Sequence, residues 1–467
     1  MAIRLELGFV FAVSLVVGTN GSARAPIIEA QHLQSLDGVV EQAIEARSLP
    51  GAAMAIEVDG KLVASKAFGV LDVGTNSPVT NATLFRLGSI SKLVTAAAVM
   101  NLAKRGKLSL SDQVSAILKD RPILSRQLRG VTVRQLLNHT SGLPDLTSEE
   151  LGELVARFAR VSDENVLSAL QRPARNRPGI TWSYNNSGYR LLSWVVEEAS
   201  GQRFNYYVVS EIAPALKLQS LQPCDLARSE LARGYIASEG KFVADPSYSV
   251  RGLLGDGGLC ANVRDLAMLP VRLIENKWIS ARTVTAMTRP TILPDGALVD
   301  YGLGVRRGLV GSEPMWGHSG SGLAGGWAAV AHYPNRRMTI AVVGNGSGGA
   351  QDAISLQAKI AATLLNQHDL RNDQVASAFR AALPMVFEAD ETRICFNWVG
   401  TGVTRRTAGS SAAARPLLHQ GAGVFARSDY PLDRYVFQMN SGRPLAHRVY
   451  YDGYFAEILR PDISRAC

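Results

Sequence analysis

The sequence has 467 residues, of which 46% are apolar and 19% charged, and its formal net charge is +9. These proportions are typical of a globular protein with a large core, and they exclude a disordered or collagen-like chain. The basic residues form no run of the kind that follows a phosphate backbone, so no nucleic-acid partner is expected. No apolar stretch approaches the roughly 20 residues that span a bilayer.

Residues 1–25 have the pattern of an export signal. A basic start is followed by a short apolar stretch over residues 7–18 and by the cleavage pattern Ala23-Arg24-Ala25. Pro26 is a poor residue to follow a cut, so an earlier cut, an uncleaved anchor and a buried N-terminal helix all stay open. We expect a periplasmic or secreted protein, with no integral membrane association unless the signal is uncleaved.

The cysteines are Cys224, Cys260, Cys395 and Cys467. None lies in a C-x-x-C motif or near a histidine at zinc spacing, so no metal site is expected. An even number in an exported protein favours disulfides. We expect the pairs Cys224–Cys260 and Cys395–Cys467, because each stays within one predicted domain. In a cytoplasmic protein the four would instead be buried thiols.

The sequence predicts strands both before and after a long helix-rich block. A helix over residues 30–47 precedes two strands, 51–58 and 61–70, that flank the hairpin turn Asp59-Gly60. In the helix-rich middle of the chain, helices are predicted at 89–105, 187–200 and 264–276. Strands at 301–310, 326–333 and 338–343 follow, and then a helix at 350–366. Strands on both sides of a helical block indicate one sheet built from early and late segments, with the first and last helices on one face.

The end of the chain has a different character. After a polar stretch near 367–374, short strand patterns alternate with turns, as over residues 449–459. We therefore divide the chain into the signal (1–25), a large domain (26–368), and a linker with a small C-terminal β domain (369–467).

The first chemical motif, Ser89-Ile90-Ser91-Lys92, lies at the predicted start of a helix. Side chains three residues apart on a helix point the same way, about 5–6 Å apart. A serine is a weak nucleophile until a base takes its proton, which a desolvated lysine can do, and the helix N-terminus favours an anion. The alternative is a plain helix cap. A second Ser-x-x-Lys, Ser238 to Lys241, lies in a turn with no helix after it.

The second motif, Tyr184-Asn185-Asn186, also precedes a helix. Here Tyr184 could relay a proton, and Asn186 could hold an amide or the lysine of the first motif. The alternatives are turn packing by the tyrosine and capping by the asparagine.

The third motif, His318-Ser319-Gly320-Ser321, precedes a predicted strand. Glycines allow the backbone of a ligand to approach a strand edge, and one N–H from this stretch could join that of Ser89 as an oxyanion donor. Residues 320–325 also match G-x-G-x-x-G, but a strand rather than a helix follows, so a dinucleotide site is rejected.

Ser-x-x-Lys, Tyr-x-Asn and His-x-Gly in this order resemble the penicilloyl-recognising serine hydrolases: class C β-lactamases, DD-peptidases and their esterase and D-aminopeptidase relatives. The segments 136–144 (LLNHTSGLP), 257–266 and 301–304 (YGLG) are similar to further parts of that family, over about residues 35–366. The resemblance implies an α/β (α+β) fold of the β-lactamase/transpeptidase type, with an antiparallel sheet flanked by helices and a helical subdomain. The small C-terminal β domain lies outside the resemblance.

The resemblance also implies roles for individual residues and no metal or cofactor. The catalytic residues would be Ser89, the acylated nucleophile, with Lys92 and Tyr184, which share general-base duty and protonate the leaving group. The substrate-binding residues would be Asn186, His318, Ser319, Gly320 and Ser321. The oxyanion hole would consist of the N–H groups of Ser89 and Ser321, and His139 would hold its loop.

The histidine of the third motif bears on the substrate. His318 stands where many β-lactamases have a lysine, and a histidine is ordinarily half-protonated near neutral pH. Among relatives this form resembles DD-peptidases and D-aminopeptidases. We therefore expect a serine acyl hydrolase, a DD-carboxypeptidase or D-amino-acid peptidase, acting on small peptides or peptidoglycan stems. The alternatives are a carboxylesterase or a weak β-lactamase acting on β-lactams and, from another class, a catalytically inactive envelope-binding protein.

Overall fold

The computed structural model describes residues 30–47, 49–120, 128–146, 150, 153–154, 161–227, 230–245, 254–275, 278–321, 326–346, 350–365, 383, 385–389, 392–400, 402–408, 413–420, 423–428, 430, 432–440, 443–451 and 453–461. The predicted export signal, residues 1–25, lies outside this part of the chain. Within it, no helix is long and apolar enough to cross a membrane.

The helices in the described residues are α1 Ala30–Arg47, α2 Ser91–Lys104, α3 Val114–Ile117, α4 Val133–Leu137, α5 Asp163–Leu170, α6 Asn186–Ser200, α7 Phe204–Tyr207, α8 Ala213–Leu216, α9 Val263–Glu275, α10 Ala281–Met287 and α11 Ala350–Leu365. Short 3-10 turns occupy Gly88–Ile90, Cys224–Leu226 and Pro334–Arg336, and a π turn occupies Val208–Ile212.

The strands are β1 Gly51–Val58, β2 Lys61–Asp72, β3 Ser77–Pro78, β4 Phe85–Arg86, β5 Gln222–Pro223, β6 Tyr235–Ser238, β7 Lys241–Ala244, β8 Leu259–Ala261, β9 Thr291–Ile292, β10 Leu298–Val299, β11 Arg306–Val310, β12 Glu313–Ser321, β13 Trp327–Tyr333, β14 Met338–Gly344, β15 Met385–Ala389, β16 Thr392–Val399, β17 Gly402–Thr407, β18 Arg415–His419, β19 Val424–Arg427, β20 Arg434–Asn440, β21 Arg443–Tyr451 and β22 Tyr454–Pro461.

The central sheet has the order β11-β12-β13-β14-β1-β2-β3, and its neighbouring strands run antiparallel. It therefore joins early and late segments, as the sequence predicts. The β1–β2 hairpin turns at Asp59 and Gly60, whose φ angles of 53° and 78° suit the two-residue turn expected there. The predicted strand over 301–310 begins only at Arg306, because Gly302 N–H donates to Val305 O in a preceding turn.

Helices cover both faces of the sheet. On one face α1 and α11 pack over Ile56 and Ile340, and on the other α2, α6 and α9 form a second core with Ala55 and Ala341. Every residue of β1, β13 and β14 is consequently buried. Such strands carry near-continuous apolar runs rather than strict alternation. The antiparallel sheet, its flanking helices and the helical subdomain match the predicted fold class.

The C-terminal β domain is a closed barrel. Strands β15 to β22 pair in sequence order, and β22 pairs back with β15 at Phe387 and Pro461. Each of the strands described from β15 to β22 therefore has a neighbour on both sides, and a closed barrel does not expose a strand edge to another chain. The same β22 also meets β11 of the central sheet, where Tyr454 pairs with Gly308. The predicted β domain is therefore present, and it is hydrogen-bonded to the edge of the sheet.

One of the predicted disulfides lies wholly in the described residues. Cys224 and Cys260 are bonded in a small buried cluster beside the central core. Cys395 is also disulfide-bonded. Its predicted partner, Cys467, lies outside the described residues, so that pairing stays a prediction.

His447 is a buried histidine in the barrel interior. It is fully buried and its ring stacks on Phe437 at 4.9 Å. Among the described residues, neither of its ring nitrogens has a hydrogen-bond partner. Burial, with a smaller effect from Arg405, lowers the pKa of His447 to about 3. An unfolded histidine has a pKa of about 6.5, so only the unfolded chain binds this proton between the two values. The histidine's contribution is complete above about pH 6.5 and is lost as the pH falls towards 3.

Replacing His447 by leucine should therefore flatten the acid dependence of stability. Between pH 7.5 and pH 5, we expect the free energy of unfolding of the wild type to fall by about 2 kcal/mol more than that of His447→Leu. Denaturant titrations at both pH values measure this difference. Equal losses in the two proteins would contradict the assignment of a neutral buried imidazole.

Candidate active site

Ser89 lies in the 3-10 turn that leads directly into α2. The preceding residue, Gly88, has φ +50°, and a Cβ atom there would come within 2.6 Å of Ser321 O. Only glycine suits that close approach. The turn therefore sets Ser89 against the end of β12, where the third sequence motif lies.

The amino group of Lys92 connects the first two motifs. Lys92 is fully buried, and its Nζ donates to Ser89 Oγ at 3.0 Å, to Asn186 Oδ1 at 2.8 Å and to Asp256 O at 2.7 Å. Three acceptors satisfy the three N–H bonds of an ammonium group. Burying that charge without such partners would cost several kcal/mol.

The third acceptor, Asp256 O, lies in the segment 255–259, which packs along α2. Ser91 Oγ accepts from Leu259 N–H at 3.1 Å, and Thr95 Oγ1 donates to Gly255 O at 2.7 Å. These contacts lie on either side of Asp256 in the sequence. They fix its carbonyl oxygen above Lys92, and the glycine-rich segment over 255–259 thereby acquires a defined role.

Asn186 begins α6, and two side chains organise that helix start. Asn185 Oδ1 accepts from Gly188 N–H at 2.5 Å, which is an N-terminal cap. The carboxylate of Asp145 accepts from Asn186 N–H at 2.7 Å and from Ser187 Oγ at 2.6 Å. Asp145 is a site residue that the sequence motifs do not predict, although it lies directly after the 136–144 segment.

His139, the residue expected to hold its loop, fixes the backbone around Tyr184. His139 O accepts from Ser183 N–H at 2.9 Å, and His139 Nδ1 accepts from Asn185 N–H at 3.1 Å. One residue therefore fixes the backbone on both sides of Tyr184, and the two rings lie 4.4 Å apart. Because Nδ1 accepts, the neutral ring carries its proton on Nε2. Burial, then the charges of Lys92, His318 and Arg306, lower the pKa of His139 well below its usual value.

Two cations lie near the Tyr184 ring. Lys92 Nζ is 5.0 Å from the ring centroid and the Arg306 guanidinium is 5.4 Å from it. In the described part of the chain, the Tyr184 hydroxyl donates to no other group. Tyr184 is half-buried, and within the described residues its hydroxyl has no acceptor although the ring lies near Lys92.

The protonation state of His318 differs from the one expected from the sequence. It is fully buried, with Nδ1 2.6 Å from Ser319 O and Nε2 3.0 Å from Tyr301 Oη. A carbonyl oxygen only accepts, so Nδ1 carries the proton and Nε2 accepts from Tyr301. Burial, Arg306 and Lys92 lower the pKa of His318 well below its usual value. The expectation of an imidazole half-protonated near neutral pH is therefore wrong.

The end of β12 offers a strand edge beside the nucleophile. Strand β11 pairs with β12 only from Glu313 to Gly317, whereas β13 pairs with it through Ser321. On the side facing Ser89, residues 318–321 have no strand partner in the described chain. A Cβ atom on Gly320 would lie 2.0 Å from Leu87 O and 2.8 Å from Ser89 N. The backbones of Ser89 and of the third motif are therefore in direct contact.

All eight residues proposed from the sequence thus lie in one region. Ser89, Lys92 and Asn186 are joined by hydrogen bonds, and the rings of Tyr184 and His318 lie 6.3 Å apart. Ser319 is almost fully buried in β12 and Ser321 is exposed at its end. No group of three His, Cys, Asp or Glu side chains that could hold a metal is found among the described residues.

A known protein family matches most of this sequence. The sequence model of the β-lactamase family matches residues 36–365, which is most of the chain and contains all three motifs. The chain belongs to the β-lactamase family. It is a serine hydrolase of the β-lactamase and penicillin-binding protein type, as the resemblance implies.

Individual relatives of this β-lactamase family member cover different shares of the chain. Penicillin-binding protein 4* of Bacillus subtilis (strain 168) is 28% identical over 332 residues, 68% of this chain and 71% of that protein. The octameric penicillin-binding protein homologue from Pyrococcus abyssi has a TM-score of 0.63 at 23% identity and covers 92% of this chain and 100% of that one. D-amino acid amidase from Ochrobactrum anthropi SV3 has a TM-score of 0.60 at 18% identity, over 73% of this chain and 100% of its own. These two structures show a shared fold.

A side chain on Gly320 should separate the strand edge from the nucleophile. We expect Gly320→Ala to lower kcat/KM for a p-nitrophenyl ester by about 100-fold, because a misplacement near 1 Å has that effect on a reacting pair. Gly402→Ala is the matched control, since nothing lies within 4 Å of a Cβ atom there. Wild-type activity in Gly320→Ala would refute the tight contact between β12 and Ser89.

Proposed function

We propose that the protein is a DD-carboxypeptidase or D-amino-acid peptidase that works through an acyl-enzyme at Ser89. The observation that supports this most is the three-way hydrogen bonding of Lys92 to Ser89, Asn186 and Asp256. This network joins the proposed nucleophile, the proposed base and the residue proposed to bind the substrate amide. Membership of the β-lactamase family supports acyl transfer in general and leaves the bond to be cleaved as part of the proposal.

In the proposed acylation, Ser89 Oγ bonds to the substrate carbonyl carbon while its proton passes to Lys92 Nζ. The C=O electron pair moves onto the carbonyl oxygen, which the N–H groups of Ser89 and Ser321 stabilise. The C–N bond then breaks, and the leaving amine takes a proton from Tyr184 or Lys92. Water releases the acyl group by the reverse sequence of proton transfers.

The contacts of Lys92 are compatible with the form of lysine that this step needs. An amine has two N–H bonds and one lone pair. The two N–H bonds would be donated to Asn186 Oδ1 and Asp256 O, at 2.8 and 2.7 Å, and the lone pair would accept the proton of Ser89. The network therefore accommodates Lys92 before and after it receives the proton.

The neutral state of His318 favours peptidase over β-lactamase activity. The lysine found at this place in many β-lactamases is a permanent charge, whereas buried His318 remains uncharged. Weak β-lactamase or carboxylesterase activity is the alternative reaction. The Bacillus subtilis relative is a penicillin-binding protein and the Ochrobactrum anthropi neighbour a D-amino acid amidase, so D-amino-acid peptides and amides are the substrates to test first.

The rival proposal, a catalytically inactive envelope-binding protein, has less support. A binding protein has no use for a fully buried lysine beside a serine, because burying the charge costs stability. We further propose that the hydrolase domain (26–368) and the C-terminal domain (369–467) function in the periplasm or outside the cell. The disulfide Cys224–Cys260 is consistent with an oxidising compartment.

Labelling tests the nucleophile. Incubation with a fluorescent penicillin or a fluorophosphonate should give one covalent adduct, located on Ser89 by mass spectrometry. Ser89→Ala should abolish the adduct. Ser238→Ala, which alters the other Ser-x-x-Lys in the exposed β6–β7 turn, should be labelled like the wild type. Labelling that survives in Ser89→Ala would refute the assignment, and an unlabelled wild type would favour the binding protein.

A substrate panel tests the proposed specificity. We expect kcat/KM for a D-Ala-D-Ala peptide or a D-amino-acid amide to exceed that for nitrocefin by at least tenfold. A p-nitrophenyl ester serves as the control for general acyl transfer. Faster turnover of nitrocefin than of both D-amino-acid substrates would favour the β-lactamase alternative.

A further inference from the structure

The barrel docks on a hairpin that leads into the active site. This hairpin, β9–β10, lies in the hydrolase domain, and its turn contacts β20 of the barrel. Leu298 N–H donates to Gln438 Oε1 at 2.9 Å, and Gln438 Nε2 donates to Gly296 O at 2.7 Å. Two residues after β10 the chain reaches Tyr301, whose hydroxyl contacts His318.

Between β10 and Tyr301 lies Asp300, a carboxylate held from both domains. Its Oδ1 accepts from Arg307 of β11 at 2.5 Å, and its Oδ2 accepts from Arg448 and Tyr450 of β21. Asp300 is only 5% exposed. Burial alone would raise the pKa of Asp300, but Arg448 and Arg307 outweigh it and lower that pKa. The carboxylate is thus a buried charge whose partners come largely from the barrel.

The strand that supplies these donors has two different faces. His447 and Val449 point into the barrel interior, whereas Ala446 and Tyr450 belong to an apolar cluster shared with the hydrolase domain. That alternation is the period of a β-strand. The shared cluster also contains Tyr301 and Phe455, so the contact between barrel and hydrolase domain extends to the residue beside His318.

Tyr301 is therefore fixed from two directions. Through its neighbour Asp300 the backbone of Tyr301 is tied to the barrel. Its own hydroxyl donates to His318 Nε2, a hydrogen bond that only the neutral imidazole can accept. His318 is in turn the first residue of the strand edge beside Ser89. The path from the barrel to the site consists of direct contacts between described residues.

We propose that Arg448 and Tyr450 of the C-terminal barrel are positioning residues for acyl transfer, because through Asp300 they hold Tyr301 and thereby His318 in place. The inference rests on the proposed function, since it assigns the barrel a role in that same site. It predicts that an alteration in the barrel changes catalysis without any contact with substrate.

The variant Tyr450→Phe tests this with little disturbance, because Arg448 and Arg307 still pair with Asp300 and the ring still fills the cluster. We expect kcat/KM for a D-amino-acid amide to fall about tenfold, mainly in kcat, with the thermal midpoint nearly unchanged. The acidic limb of the kcat/KM profile should move to higher pH, because a loosened His318 becomes easier to protonate. The other groups facing His318 (Tyr301, Tyr184, His139, Arg306 and Lys92) are unaltered in this variant.

Tyr301→Phe and the double variant Tyr301→Phe/Tyr450→Phe show whether the effect passes through Tyr301. Tyr301→Phe should give the same shift of the acidic limb, and the second change should add nothing, since residues acting in one path are non-additive. NMR titration of the His318 imidazole gives a readout independent of turnover. Its pKa should rise equally in the single and double variants.

Arg460→Gln is the matched control. It breaks the ion pair with Asp295 (2.9 Å) in the same interdomain contact but away from Asp300, so its pH profile should equal that of the wild type. Wild-type kinetics in Tyr450→Phe, or effects that add in the double variant, would overturn the inference. A wild type that turns over no substrate would instead overturn the proposed function, so the two failures are distinguishable.

Discussion

The buried amino group of Lys92 is the contact on which the site depends. A cation at a fully buried position requires acceptors, and the three it has come from the turn before α2, the start of α6 and the segment before β8. Those three regions are far apart in the sequence. Satisfying one charge therefore brings together the nucleophile, the substrate-amide ligand and a backbone carbonyl, and the capping of α6 by Asp145 supports that placement.

The sequence predicts the parts of this site that depend on local geometry. The approach of Ser89 to Lys92 at a helix start, the hairpin at Asp59-Gly60 and the helix over residues 187–200 follow from neighbouring residues alone. Contacts between residues far apart in the sequence could not be predicted in this way. The protonation of His318 depends on burial and on Arg306, and the tie between Asp300 and Arg448 joins residues 148 positions apart.

The barrel closes on itself and also continues the sheet. Its strand β22 pairs with β15 and with β11, the strand that supplies Arg306 beside Tyr184 and Arg307 beside Asp300. The Arg306 guanidinium also donates to Phe455 O of β22. An isolated hydrolase domain would lack this acceptor, Phe455 O. Under the proposed function, the C-terminal domain is consequently part of the support for the site rather than an appendage.

A crystal structure of the acyl-enzyme would show whether Ser89 is the nucleophile. With a slowly released penicillin or D-amino-acid phosphonate, we expect continuous density from Ser89 Oγ to the ligand. The ligand oxygen should lie about 2.7–3.1 Å from the backbone nitrogens of both Ser89 and Ser321, the range of oxyanion contacts. A ligand bonded to another residue, or an oxygen directed away from these two nitrogens, would contradict it.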